Sequence, residues 1–325
     1  MSHNQLIGIT AVGWEIPGWN NQNILDALDS KIAYGELDPA ATLGKKGLRY
    51  KDEATKLALC AVNKALESCG LLELEKEQRA NIGIIVSSNL GNMDTVCQES
   101  GIIHDQHVDS TSPMNLPVAS SNVIPSSIAI RYGFKGVNLM LCNGSTSGVD
   151  AINIARQMLK AGRAEKMVVV GVEPDNAITR QLLSECDADN VTGKSIETGL
   201  LAACLILEPV NADDDNVLGL VGDYQFAPST EKLAQTFSKP DVWFTPSQSS
   251  SRSEKAVAQL KADAFADIEC IDVSANSGEL YGALGVYQAL VALTYLRQND
   301  QQQALISNGL TFGDGVSSLQ LSLNG

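Results

Sequence analysis

Ser145 stands in the stretch LCNGSTSGVDAI, Leu141 to Ile152, where an apolar run stops at small residues and a helical pattern begins. A side chain at such a junction meets unpaired N–H groups and the positive end of the helix dipole. That setting lowers the pKa of a thiol and stabilises an oxyanion, so covalent acyl transfer is often built there. A serine hydroxyl has a far higher pKa than a thiol and needs an adjacent base before it can attack. The chain has three histidines, His3, His104 and His107. None lies beyond residue 107, which excludes any mechanism that needs a histidine from the last two-thirds of the chain. Glu279 or Asp314 would have to act as base or orienter instead.

Two other groupings invite a chemical reading. HDQHVD, with His104 and His107, has an HxxH spacing, but no glutamate motif or cysteine ligand accompanies it, and it reads as a solvated loop with no metal. Asp187, Asp189 and Glu197 fall in ECDADNVTGKSIETG and read as a surface turn. The seven cysteines are scattered, odd in number and without CxxC, as expected of reduced thiols in a cytosolic protein. Cys142 reads as a buried strand residue.

The elements that position Ser145 alternate along the chain. QLIGITAVG, NIGIIVSSNLG, GVNLMLCNGS, KMVVVGVEP and TGLLAACLILEP read as buried strands. NNQNILDALDS, DEATKLALCAVNKALESCG, SNVIPSSIAIRYGF and SGVDAINIARQMLKAG read as helices, the second with an Asp cap and a terminal glycine. Residues 92 to 124 read as a long polar connector. The second half repeats this pattern more weakly: strands at DVWFTP and IECIDVSANSG, helices at SRSEKAVAQLKADAF and GALGVYQALVALTYLRQ, and two closing strands in ALISNGLTFGDGVSSLQLSL. Such dense alternation implies an α/β protein with helices on both faces of its sheets.

At the Ser145 turn the sequence resembles the β-ketoacyl-[acyl-carrier-protein] synthases. Their motif like ACASG, set between a strand and a helix beginning AI, matches NGSTSGVDAI with Ser145 at the nucleophilic cysteine. IGIIVSSNLG, AVNKALESCGLL, RYGFKGVNL and ACLILEP resemble further segments of the family, so the likeness runs from about Leu6 to Leu323. The family's first histidine, in HGTGT, falls at Pro246 in TPSQSS. The second, in KSxxGHxxGAAG, falls at Glu279 in SANSGELYGALG, with Ser274 at the lysine and Gly278, Gly282 and Gly285 retained. The closing GFGG turn becomes TFGD, with Phe312 at the residue whose N–H helps form the oxyanion hole together with the Ser145 turn.

The resemblance implies a thiolase fold, two βαβαβ-type halves in a five-layer αβαβα arrangement, with halves at 1–205 and 206–325 forming one compact unit. It implies a dimer formed through the strand GVNLML. It also implies lost chemistry, because the cysteine, both histidines and the lysine are all replaced. The expected role is a non-catalytic, chain-length-factor-like partner of an active β-ketoacyl synthase paralogue. Such a subunit shapes the acyl channel in fatty acid, polyketide or polyene biosynthesis. The partners would be that synthase, as a heterodimer, and an acyl carrier protein bearing a 4'-phosphopantetheine arm, with no cofactor held covalently. Two alternatives stay open: a serine acyltransferase or thioesterase using Ser145, and a homodimeric scaffold for acyl carrier protein.

A net charge of −15 and a pI of 4.6 disfavour nucleic acid and anionic membranes as partners. They also require any patch that meets an acidic carrier protein to be local, and GKKG is the local cationic cluster. No apolar stretch reaches the ~18 residues of a membrane span. The N-terminus lacks a signal-peptide pattern, so a cytoplasmic location is expected.

Overall fold

The computed structural model describes residues 5–19, 21–186, 196–211, 213–229, 239–311 and 315–324. Among the described residues, strands form two sets of five. The first contains β1 (Leu6–Glu15), β2 (Ile82–Ser87), β3 (Asn138–Leu141), β4 (Lys166–Glu173) and β5 (Leu201–Val210), in the spatial order β3-β2-β4-β5-β1. The second contains β6 (Gly219–Ala227), β7 (Val242–Phe244), β8 (Glu269–Ile271), β9 (Gln303–Gly309) and β10 (Val316–Ser322), in the order β6-β10-β9-β7-β8. β2 and β7 run parallel to both neighbours, and β5 and β10 run antiparallel to both of theirs. One arrangement is therefore used twice. The sets meet only where Gly8 faces Leu220 and Ile9 faces Gly219, which makes one ten-stranded sheet.

Six helices matter here: α1 (Glu53–Ser68), α2 (Met93–Gln106), α3 (Val123–Tyr132), α4 (Ser147–Lys160), α5 (Ser251–Ala264) and α6 (Leu284–Gln298). The strands alternate between cores, as the two-residue period of a strand requires. Val168, Val170 and Val172 of β4 face α1 and α3, while Met167 and Val169 face α4 and α6. A third core sets Trp243 and Leu305 against Val257 and Leu260 of α5. The result is the five-layer αβαβα order expected.

Local sequence explains the main joints. Asp52 caps α1, accepting from Thr55 N at 2.6 Å and Thr55 Oγ1 at 2.8 Å. Gly13 lets β1 lie against α1, since a Cβ there would stand 2.4 Å from Ala61 O. α6 is buried on all sides, consistent with its position in the middle layer. α4 and α6 touch at their first turns, where a Cβ on Gly148 would lie 2.7 Å from Gly285 N.

Three expectations are corrected. Residues 92 to 124 are not a plain connector. They contain α2 and two short 3₁₀ turns, and α2 escapes the pattern because Glu99 is its one buried residue. The segment around Asn21 to Ser30 gives only one helical turn, Asp26–Asp29. Cys142 lies past the end of β3 and is exposed, its Sγ donating to Ser88 O at 3.1 Å.

Candidate functional site

Ser145 sits in a 3₁₀ turn, Gly144–Thr146, between β3 and α4, and is 2% exposed. Gly144 has φ +80°, which suits a residue without a Cβ. Asn89, just past the end of β2, clasps the turn: Gly144 N donates to its Oδ1 at 3.0 Å, and its Nδ2 donates to Gly144 O at 3.1 Å. Ser147 completes the hold, donating to Gly144 O at 2.7 Å and accepting from Asn143 N at 2.9 Å.

Asn89 is in turn fixed by Glu173 at the end of β4. The fully buried Glu173 carboxylate accepts from Asn89 N at 2.6 Å, Leu90 N at 3.0 Å, Ser88 Oγ at 3.1 Å and Gly282 N at 3.3 Å. Burial pushes its pKa up to about 7, and these donors oppose a larger rise. Gly282 must be glycine for this contact, since a Cβ would lie 2.7 Å from both Asn89 Nδ2 and Glu173 Oε1. The ends of parallel strands β2, β3 and β4 thus converge on Ser145, and Glu173 ties them to the turn Tyr281–Ala283 that leads into α6.

A second cluster gathers Pro246, Ser274 and Glu279. Glu279 is buried and accepts from Ser247 Oγ at 2.6 Å, from Ser249 Oγ and from Tyr281 N at 2.7 Å. Ser274 Oγ donates to Asp272 Oδ1 at 2.6 Å and lies 3.0 Å from Ser247 Oγ. Burial raises the pKa of Asp272, against its bonds from Ser274 and Gln248. Pro246 is buried beside Ser247 and supplies no titratable group. A cavity of about 290 Å³ opens on this cluster, lined in part by Gln248, Ser249, Asp272 and Glu279.

The structure brings Pro246, Ser274 and Glu279 together, but it does not hydrogen-bond Glu279 to Ser145. Both Glu279 oxygens are committed to Ser247, Ser249 and Tyr281. Phe312 and Asp314 lie outside the described residues, as do Asp187, Asp189 and His3. Glu197 is ion-paired with Lys31. His104 is exposed and bonded to its neighbour Asp105 at 2.9 Å. Among the described residues no group of His, Cys, Asp or Glu is arranged to hold a metal, and no helix is long and apolar enough to cross a membrane. Sequence reading missed Asn89, Glu173, Ser247, Ser249 and Asp272. The signal for Glu173 was a charge closing the apolar run MVVVGV that follows Lys166.

Residues 31–192 match the model of the β-ketoacyl synthase N-terminal domain. The chain is 26% identical over 156 residues to the mitochondrial 3-oxoacyl-[acyl-carrier-protein] synthase of Arabidopsis thaliana, a match covering 46% of this chain and 33% of that protein. It is 27% identical over 138 residues to 3-oxoacyl-[acyl-carrier-protein] synthase 2 of Vibrio harveyi, covering 42% and 33%. The matched part thus spans about a third of the length of these relatives. Likeness of structure extends much further. A β-ketoacyl synthase from Burkholderia phymatum superposes with a TM-score of 0.84 at 15% identity, covering 98% of this chain and 100% of that one. The fold is that of the ketosynthases. The ishigamide ketosynthase/chain length factor gives a TM-score of 0.77 at 19% identity, covering 98% and 100%. A type II PKS acyl-carrier protein in complex with its ketosynthase gives 0.77 at 18%, covering 98% and 99%. Within this thiolase-like fold, Ser145 occupies the strand–turn–helix junction from which the resemblance was first read.

Proposed function

We propose that this chain is a non-catalytic, chain-length-factor-like partner of an active β-ketoacyl synthase, serving fatty acid, polyketide or polyene assembly on an acyl carrier protein. The observation that carries this reading is Glu279, which stands where the resemblance puts the second histidine. Condensation needs neutral imidazoles to assist decarboxylation of the extender and to hold its enolate. A side chain whose two oxygens already accept from two serine hydroxyls and a backbone N–H does not supply the N–H of an imidazole. Of the two bases a serine acyltransferase could use, Glu279 is bonded to Ser247, Ser249 and Tyr281 N, and Asp314 lies outside the described residues.

Two surfaces support a partner subunit. β3 is an end strand whose four residues are all half-buried, and α2 and the turns after it carry the exposed side chains of Ile103, Val108, Met114 and Leu116. An end strand beside apolar side chains is a surface suited to a second subunit. For the carrier protein and its 4'-phosphopantetheine arm, Lys45, Lys46 and Arg49 are exposed on one loop, with Arg49 5.2 Å from the Tyr50 ring. Arg131 reaches the same loop, donating to Leu43 O at 2.7 Å. In a chain of net charge −15 this is a local cationic site for an acidic carrier. We take the two halves as residues 1–205 and 206–325, forming one compact unit.

The test is co-expression with the active synthase encoded nearest to it, followed by native mass spectrometry of the purified assembly. A one-to-one heterodimer supports the proposal. A homodimer that ignores the synthase overturns it in favour of the homodimeric carrier-protein scaffold.

A further inference from the structure

β1 is paired with β5 along its whole length, but with β6 only at Gly8 and Ile9. Beyond Ile9 the two strand sets diverge, and among the described residues no other strand covers the outer edge of Ala11–Glu15. In an antiparallel ladder every second residue directs both its N–H and its C=O away from its partner. This stretch therefore presents a short row of backbone donors and acceptors to open space. The corresponding edge of β6 is treated differently: Arg156 of α4 donates to Gly222 O there.

The space beside the β1 edge is shaped. A cavity of about 470 Å³ is lined by Val12 and Trp14 from the inner face of the strand, and by Lys64 of α1 from the outer face. A cavity walled from both faces lies in the plane of the sheet, where another strand would run. Trp19, Asn21 and Gln22 form its far wall. A second cavity of about 310 Å³ shares Val12 and Trp14 and runs beneath the edge to Leu218, Leu290 and Leu293. Thr294, Gln298 and Arg297 close its lining, and Arg297 Nη2 donates to Val217 O at 3.1 Å, with no carboxylate partner for Arg297 among the described residues.

We propose that the β1 edge takes up an extended segment of a partner protein by strand addition, with an apolar side chain in the inner cavity and a carboxylate against Arg297. Main-chain bonds to an edge, with alternate side chains in pockets, is an established mode of peptide capture. A second folded copy does not fit. The floor of the site is formed by buried residues, Gly13, Ile16, Leu290 and Leu293, which a strand embedded in its own sheet could not reach. At the rim Lys64 is already paired with Glu15 at 2.8 Å, which leaves the Arg297 guanidinium without a carboxylate among the described residues. That unmatched charge, in a strongly acidic chain, selects an acidic segment. The proposal is independent of the role suggested for Glu279.

The experiment uses the whole protein and a set of short blocked peptides that alternate Leu or Val with Glu or Thr, with hydrogen exchange as the readout. In the free protein, alternate amides of Ala11–Glu15 should exchange as surface amides do. Saturating peptide should slow them about tenfold, and the same peptides N-methylated on alternate amides should not. Arg297→Gln should weaken binding of the Glu-containing peptides about tenfold, leaving Thr-only peptides unchanged. Full protection of these amides before any peptide is added, absence of added protection with every peptide, or equal binding of the methylated set would each overturn the proposal.

Discussion

Glu173 makes the stability of this protein fall as pH rises through the neutral range. Its carboxyl titrates at about 7 in the folded chain against an ordinary value of 4.5. Between those values the folded state holds a proton that the unfolded state has released, so stability declines as pH rises through the window and the loss is complete above the folded pKa. A rise of about two and a half units at 1.36 kcal/mol each gives a loss of about 3 kcal/mol. The contribution is fully present below about pH 4.5 and gone above about pH 7. The assay is urea unfolding of wild type and Glu173→Gln from about pH 5 to about pH 8 at fixed ionic strength. Glutamine is uncharged throughout, and its NH₂ meets the donors Leu90 N or Ser88 Oγ, which offsets its stability by a constant. The difference between the two proteins should therefore shift by about 2.5 kcal/mol against wild type between about pH 5 and about pH 8, the rest of the loss lying below that range. Asp52 and Asp272, also raised by burial, titrate in both proteins and cancel. A difference that stays flat would refute the reasoning. It would mean that the donors on Glu173 outweigh its desolvation, so that it folds as a carboxylate.

Asp150 accepts from Tyr224 at 2.8 Å, Ser317 at 2.5 Å, Thr146 at 2.8 Å and Asn143, joining α4 to β6 and β10. Asp150→Ala should cost about 3 kcal/mol in urea unfolding, because it strands those donors. Gly148→Ala should cost about 3 kcal/mol or more by the same measurement, since its Cβ meets the backbone of Gly285. Ser145→Cys should gain an acyl group from an acyl thioester, seen as a mass increase, yet release no condensed product with a malonyl carrier protein. Any condensed product would refute the reading of Glu279. Ser247→Ala with Ser249→Ala should cost about 2 kcal/mol in urea unfolding by leaving Glu279 short of donors.

What could be read from the sequence was what is written locally. The turn at Ser145 is legible because the end of an apolar strand, the small residues and the start of an amphipathic helix are contiguous. Glu279 is legible through Gly278, Gly282 and Gly285, each needed where backbones or buried polar groups meet closely. The partners of these residues are not legible. Ser247 and Ser249 meet Glu279 from about thirty positions away, and Glu173 is bonded to Asn89 and Gly282 across 84 and 109 positions. Periodicity reports which face of a strand is buried, and Glu173 lies at the end of a strand, where burial depends on loops from elsewhere. α2 was missed for the opposite reason: it buries almost nothing within the chain and so lacks the stripe by which a helix is recognised.

These two failures point the same way. The Glu173–Asn89–Gly282 frame holds the turn at Ser145 as closely as a reacting centre would need, with every carboxylate oxygen bonded and glycine wherever a side chain would intrude. The neighbouring cluster pairs Glu279 with Ser247, Ser249 and Tyr281 N. A fold under no demand beyond stability could exchange that frame for apolar packing at little cost. Under the proposed partner role, such a frame would fix the geometry of the end of the sheet near which Ile103 of α2 and Val108, Met114 and Leu116 of the turns after it are exposed.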